Sequence, residues 1–134
     1  MKKFDHYVSN LSVLKTADKE DLSNDFIISG IIDKFYIQFE LGWKVLKELL
    51  KYEGRAEAQS GSPREIIKLA YSVYDFIDEA VWLAMLRERN SATHIYDAAA
   101  ARELAQHILN RYIPAFAALQ TAITDRYGET LALL

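Results

Sequence analysis

The stretch Ile28-Ser29-Gly30-Ile31-Ile32-Asp33-Lys34-Phe35-Tyr36-Ile37-Gln38-Phe39-Glu40-Leu41-Gly42-Trp43-Lys44-Val45-Leu46-Lys47-Glu48-Leu49-Leu50 decides the fold. Within it Ile28, Ile32, Phe35, Phe39, Gly42, Leu46 and Leu49 recur at spacings of four and three. That stripe suits a long helix packed at a shallow angle in a bundle. A second line, Tyr36, Trp43 and Leu50, repeats every seven residues and widens the apolar face. Gly42 costs about 1 kcal/mol in a helix interior, so another helix is expected to approach closely there. Gly54 is the expected stop. The surplus of aromatic residues, Phe26, Phe35, Tyr36, Phe39 and Trp43, points to a homodimer or larger oligomer.

Working outward, Lys3 to about Leu14 reads as a first helix with Phe4, Tyr7, Val8, Leu11 and Leu14 on one face. Lys15 to Asp21 is a polar turn, and Asp21 or Ser23 is the expected cap of the long helix. Downstream, Ser62-Pro63-Arg64-Glu65 is a complete start signal: a serine cap, proline in the first turn and glutamate at the third position. Asp78 caps a fourth helix with Val81, Trp82, Met85 and Leu86 inward. Asp97 caps a fifth, carrying Ala105, Leu109, Tyr112, Phe116, Leu119 and Ile123. Pro114 removes an amide inside that fifth helix and is expected to kink or interrupt it. The expected architecture is all-α: an antiparallel four-helix up-and-down bundle with an extra short N-terminal helix. Residues 1–134 show no linker or repeat and read as one domain.

Composition narrows the function. The 134 residues are 51% hydrophobic, enough to bury roughly two-thirds of the unfolded surface. The absence of cysteine excludes a disulfide scaffold, a thiol nucleophile and Cys-ligated zinc, and it fits a reducing, cytoplasmic location. No hydrophobic signal core opens the chain and no run is apolar enough to span a membrane. The net charge of −3 argues against a general nucleic-acid binder, so any RNA contact must be local or shared between subunits. His6, His94 and His107 have no zinc spacing, and neither a metal nor a cofactor is expected. Gly61-Ser62 with Asp75 and Asp78 matches a nucleotidyltransferase motif only superficially, since paired aspartates must share one face of a strand.

Arg89-Asn90-Ser91-Ala92-Thr93-His94-Ile95-Tyr96 is the chemically suggestive stretch. Arg89 follows Met85 and Leu86 on or beside the apolar face, where a guanidinium needs a partner or a solvated groove. Asn90, Ser91 and Thr93 compete for backbone hydrogen bonds and should end the helix. On an unbroken helix Arg89 and His94 would point about 140° apart, so a break or a second subunit is needed to unite them. Histidine titrates near neutrality and arginine grips phosphate with a planar fork. Together they have the chemistry to cleave RNA without a metal: the imidazole assists attack of the ribose 2′-hydroxyl and the guanidinium stabilises the phosphate charge. The same residues would also suit a polar helix end in which Arg89 binds carbonyls or an acid such as Glu88 or Asp97.

Three stretches carry a resemblance: Phe39 to Lys47, Ser62 to Glu65, and Trp82 to Asn90 continuing through His94-Ile95-Tyr96-Asp97. The chain resembles the HEPN-type proteins encoded beside minimal nucleotidyltransferases, often described as nucleotidyltransferase substrate-binding proteins. The last stretch matches that family's Arg-x4-His-x-Tyr pattern; Gly42 departs from the polar or small hydroxyl residue expected there. The resemblance implies a helical bundle, usually dimeric, and a nucleotidyltransferase partner. It further implies Arg89 and His94 as the catalytic pair of a metal-independent ribonuclease toxin, Asn90 as a supporting polar residue, and Tyr96 as the hydroxyl the partner adenylylates. Other members are described only as binding nucleotide or substrate for the partner, so RNA or nucleotide is the implied ligand.

Overall fold

The computed structural model describes all residues, Met1–Leu134. The regular structure is entirely helical and contains no strand. Helix α1 spans Lys2–Leu14, α2 Asp25–Tyr52, α3 Pro63–Val73, α4 Glu79–Asn90, α5 Thr93–Tyr96, α6 Ala98–His107 and α7 Ile113–Tyr127. Short 3-10 turns at Lys15–Lys19, Ala56–Gln59 and Gly128–Leu133 complete the path. No helix is long and apolar enough to cross a membrane.

Local chemistry accounts for most boundaries. Ser62 and Glu65 form the reciprocal capping box, with Pro63 in the first turn of α3. Asp78 Oδ1 accepts from the Val81 amide and Asp97 Oδ1 from Ala99 and Ala100. The cap of α2 differs from expectation: Asn24, not Asp21 or Ser23, accepts from the amides of Phe26 and Ile27. Asp21 instead binds the amide and hydroxyl of Ser23, a local turn that uses up its oxygen. Gly54, at φ +81°, takes the left-handed conformation that follows the end of α2.

Pro114 neither breaks nor sharply ends the last helix. Residues Ile108–Tyr112 form a π turn that joins α6 to α7 as one rod, and Pro114 falls in the first turn of α7. The wider turn absorbs the missing proline amide. It also rotates the inward set, so Leu104 and Ile108 are buried while Leu109 lies at the boundary.

Helix α2 is the axis of the bundle. Ile28, Ile32, Phe35, Phe39, Gly42, Leu46 and Leu49 are all buried, as the spacing requires. Phe35 stacks on Tyr112, with ring centroids 5.3 Å apart, and Phe39 lies 6.0 Å from Trp82. The aromatic surplus is therefore absorbed largely within one chain and does not by itself require a second copy. Tyr36 and Trp43 are half-buried, and Phe26 stands 89% exposed. The N-terminal helix is a full core layer: Phe4, Tyr7, Leu11 and Leu14 are buried. Its Tyr7 hydroxyl donates to the Phe116 carbonyl at 2.7 Å, tying α1 to α7. Gln38, buried on α2, donates to the Tyr7 carbonyl and accepts from Asn10 at 2.8 Å, so its amide is satisfied on both sides.

At Gly42 the expected close approach occurs. A Cβ there would lie 2.6 and 2.9 Å from ring carbons of Trp82 and 3.2 Å from Tyr7. Gly30, on the same helix, faces open space. Opposite signs follow for the two alanine variants. Gly42→Ala lowers the melting temperature, because overpacking costs about 1–3 kcal/mol and outweighs the ~1 kcal/mol helix gain. Gly30→Ala raises it, by roughly 0.5–1 kcal/mol. Thermal unfolding of both variants checks this.

A second test lies at the far end of the bundle. Tyr74 and Tyr127 share a 2.5 Å hydrogen bond, and Tyr127 donates onward to Glu53 at 3.0 Å. Burial first, and then the phenol pairing and the Glu53 charge, push Tyr127 far above its ordinary range; burial likewise raises Tyr7, Tyr74 and Tyr112. Unfolded phenols ionise near pH 10, while the folded ones hold their protons. The unfolded state then binds fewer protons, so stability falls as pH rises above about 10. Tyr127→Phe is expected to shallow that alkaline decline in denaturant titrations, while lowering stability at neutral pH.

Candidate functional site

Helix α4 ends at Asn90, as the helix-poor run Asn90-Ser91 implies. Ser91, extended at ψ 137°, turns the chain away, and the single turn α5 follows before Asp97 starts α6. This break carries Arg89 and His94 onto the same helix, α2, by different routes. Arg89 Nη2 forms an ion pair with Glu40 Oε1, and its Nη1 donates to Asn90 Oδ1 at 3.3 Å. His94 Nε2 lies 2.8 Å from the Tyr36 hydroxyl. Tyr36 and Glu40 stand four residues apart, on one face of α2.

The acid that holds Arg89 is thus neither Glu88 nor Asp97. Glu88 faces His107, 4.0 Å away, and Asp97 caps α6. Glu40 is crowded with positive and donor groups: Trp43 Nε1 donates to its Oε2 at 3.1 Å and Lys44 Nζ lies 3.8 Å from the same oxygen. Its Oε1 is sealed from water with no donor in good hydrogen-bond alignment. Arg89 meets that oxygen through one guanidinium nitrogen, Nη2, and not as a bidentate fork.

Arg89 and His94 are not joined to each other by any hydrogen bond. They sit over successive turns of α2, each met by a side chain that sequence reasoning did not select as a site residue. Tyr36 belongs to the second line read as packing and Glu40 to neither line; the signal that would have found them is their four-residue spacing on the face beside the apolar one. Burial first, then the charges of Glu88 and Asp33, raise the Tyr36 phenol above its ordinary range, so it keeps its hydrogen. His94, with Ile95, lines two adjoining hollows of about 280 and 250 Å³ between α2, α5 and α6. Ser29, Asp33 and Ala101 contribute to their walls. Tyr96 borders the first hollow and is 90% exposed. No three His, Asp or Glu side chains come together in a way that could hold a metal ion.

A family model described as nucleotidyltransferase substrate binding protein like matches residues 2–125. The chain belongs to that family. The match covers α1 through nearly all of α7 and so includes Tyr36, Glu40 and every residue of the α4–α5 break. No curated protein matches the chain. Ser62 and Asp78, the residues that faintly suggested nucleotidyl transfer, are helix caps here.

The Arg89–Glu40 contact is measurable by a double-mutant cycle. Side chains that are 34% and 29% exposed keep only part of their Coulomb attraction. Glu40→Gln and Arg89→Gln are each expected to lower stability, with a coupling energy on the order of 1 kcal/mol. Additive losses in urea unfolding would show that the pair is not energetically linked.

Proposed function

We propose that this chain is the helical partner of a minimal nucleotidyltransferase and that the α4–α5 break is the surface on which the two act. Tyr96 carries the reading. It is the most exposed tyrosine of the chain, sitting on a single helical turn two residues from His94, where an enclosed active site of another protein can reach its hydroxyl. In the transfer, the Tyr96 oxygen attacks the α-phosphorus of a nucleoside triphosphate held by the partner. A phenol–phosphorus bond forms, pyrophosphate leaves, and the phenolic proton passes to base or solvent. The new phosphate brings negative charge to a surface that holds Arg89 and His94.

What that modification controls is cleavage of RNA. Arg89 neutralises the phosphate and His94 exchanges a proton as the ribose 2′-oxygen attacks the neighbouring phosphorus. The bond to the 5′-oxygen breaks, giving a cyclic 2′,3′-phosphate and a free 5′-hydroxyl. Asn90, already within reach of Arg89, supports the guanidinium. For this, phosphate must displace Glu40 from Arg89; both side chains are about one-third exposed, so the exchange takes place within reach of water. A second copy of the chain, seated on the exposed face that carries Phe26, belongs to this reading.

One observation favours a second reading, a non-catalytic subunit that binds nucleotide or substrate for the partner. Both candidate catalytic groups have internal companions, Glu40 and Tyr36. Incubating the purified protein with RNA in EDTA separates the two. Cleavage is expected, slowed about 10²- to 10⁴-fold in Arg89→Ala and His94→Ala. Equal degradation by wild type and His94→Ala removes the ribonuclease, and a stable complex with the nucleotidyltransferase then leaves the binding subunit. Transfer of label from an α-labelled triphosphate is expected to vanish in Tyr96→Phe.

A further inference from the structure

His94 has a single side-chain partner, and that partner settles how the imidazole can meet a phosphate. The Tyr36 hydroxyl lies 2.8 Å from Nε2 and 3.4 Å from Nδ1, with the two rings tilted by 60°. Only the shorter contact has the length of a strong hydrogen bond. Two polarities are available to it: the phenol donates to a bare Nε2, or it accepts from an Nε2–H. The phenol is the better donor, because its oxygen lone pair is drawn into the ring while a neutral imidazole nitrogen is a strong acceptor. The structure also gives the Tyr36 hydroxyl no other hydrogen-bond partner, so acceptance from Nε2–H would leave the phenolic hydrogen without a protein acceptor. The acid groups around Tyr36 work in the same direction. Glu88 on α4 and Asp33 on α2 both oppose loss of its proton.

We infer that Tyr36 is a positioning residue for His94: its hydroxyl caps Nε2, selects the tautomer with hydrogen on Nδ1, and leaves the Nδ1–H as the ring's working edge. The consequence is a definite role. With the Nε2 lone pair occupied, the neutral ring cannot accept the 2′-hydroxyl proton at that nitrogen. It offers a hydrogen to a phosphate oxygen or to the departing 5′-oxygen. In the latter step the Nδ1–H bond breaks as the new O–H bond forms, the phenolic proton of Tyr36 passes onto Nε2 so that the ring stays neutral, and solvent returns a proton to the phenolate. The proton of the attacking 2′-hydroxyl must then leave by another route, to solvent or to a phosphate oxygen. This assignment rests on the reading of the α4–α5 break as the phosphate-facing surface, but the tautomer itself does not.

The two are therefore tested apart. Imidazole ¹⁵N spectra of the RNA-free protein, recorded above the histidine titration range, are expected to show His94 as the Nδ1–H tautomer. Tyr36→Phe, which keeps the ring packing, shifts it toward Nε2–H. A wild-type ring in the Nε2–H form, or a spectrum unchanged by Tyr36→Phe, overturns the inference; the wild-type arm needs no variant to fold. In the RNA assay Tyr36→Phe is expected to lower kcat roughly 10- to 100-fold with little change in KM, as when a group orienting a catalytic histidine is removed. Cleavage at the wild-type rate in a variant whose tautomer has shifted also overturns the role. Absence of cleavage in wild type, with the expected spectra, removes the ribonuclease reading and leaves the positioning of His94 in place.

Discussion

The molecule depends on the contact between the bare backbone of Gly42 and the ring of Trp82. That contact seats the outer ring carbons of the α4 indole against α2 where a side chain at position 42 would collide with them. It also sets the register of the two helices. Trp82 meets α2 at Gly42, Arg89 meets it at Glu40, and His94 meets it at Tyr36. Chain numbers rise along α4 and α5 as they fall along α2, so the two run antiparallel. A rigid indole on a glycine is thus what places a guanidinium and an imidazole on one face of the longest helix.

The same helix serves two purposes with two faces. One face is apolar, closes the core and fixes the position of α2. The neighbouring face carries Tyr36 and Glu40, which are half-buried and act on groups from α5 and α4. Half-burial matters here. A fully buried Glu40 would hold Arg89 too firmly to be displaced, and a fully exposed one would be screened to little effect. The break after Asn90 makes the second face possible. Without it, α4 would carry position 94 away from α2.

The fold was legible where local chemistry decides it. The box at Ser62–Glu65 and the caps at Asp78 and Asp97 correspond to forces acting within a turn of the chain, and the four-three stripe and the bare surface at Gly42 mark where α2 must be packed without naming what packs there. Where several local solutions compete, reading was less sure. Asp21, Ser23 and Asn24 can each cap a helix, and the choice fell to Asn24 because Asp21 closes a turn on Ser23. Pro114 removes an amide, yet the chain widened into a π turn and stayed helical, because Tyr112 and Phe116 have core sites to fill on both sides of it.

The sequence by itself determined that the chain is all-helical, where several of its helices start, and that a helix ends within the run that holds Arg89, Asn90, His94 and Tyr96. It could not name the companions of the first and third. Glu40 lies 49 positions before Arg89, and Tyr36 and His94 are separated by 58. Such pairings depend on the height at which one helix stands against another, which no local periodicity encodes. Tertiary structure alone decided that Arg89 rests on Glu40, that Tyr36 meets His94 at Nε2, and that Tyr96 stands free in solvent. It did so because the packing of Trp82 on Gly42 sets the offset between two helices whose own sequences leave it open.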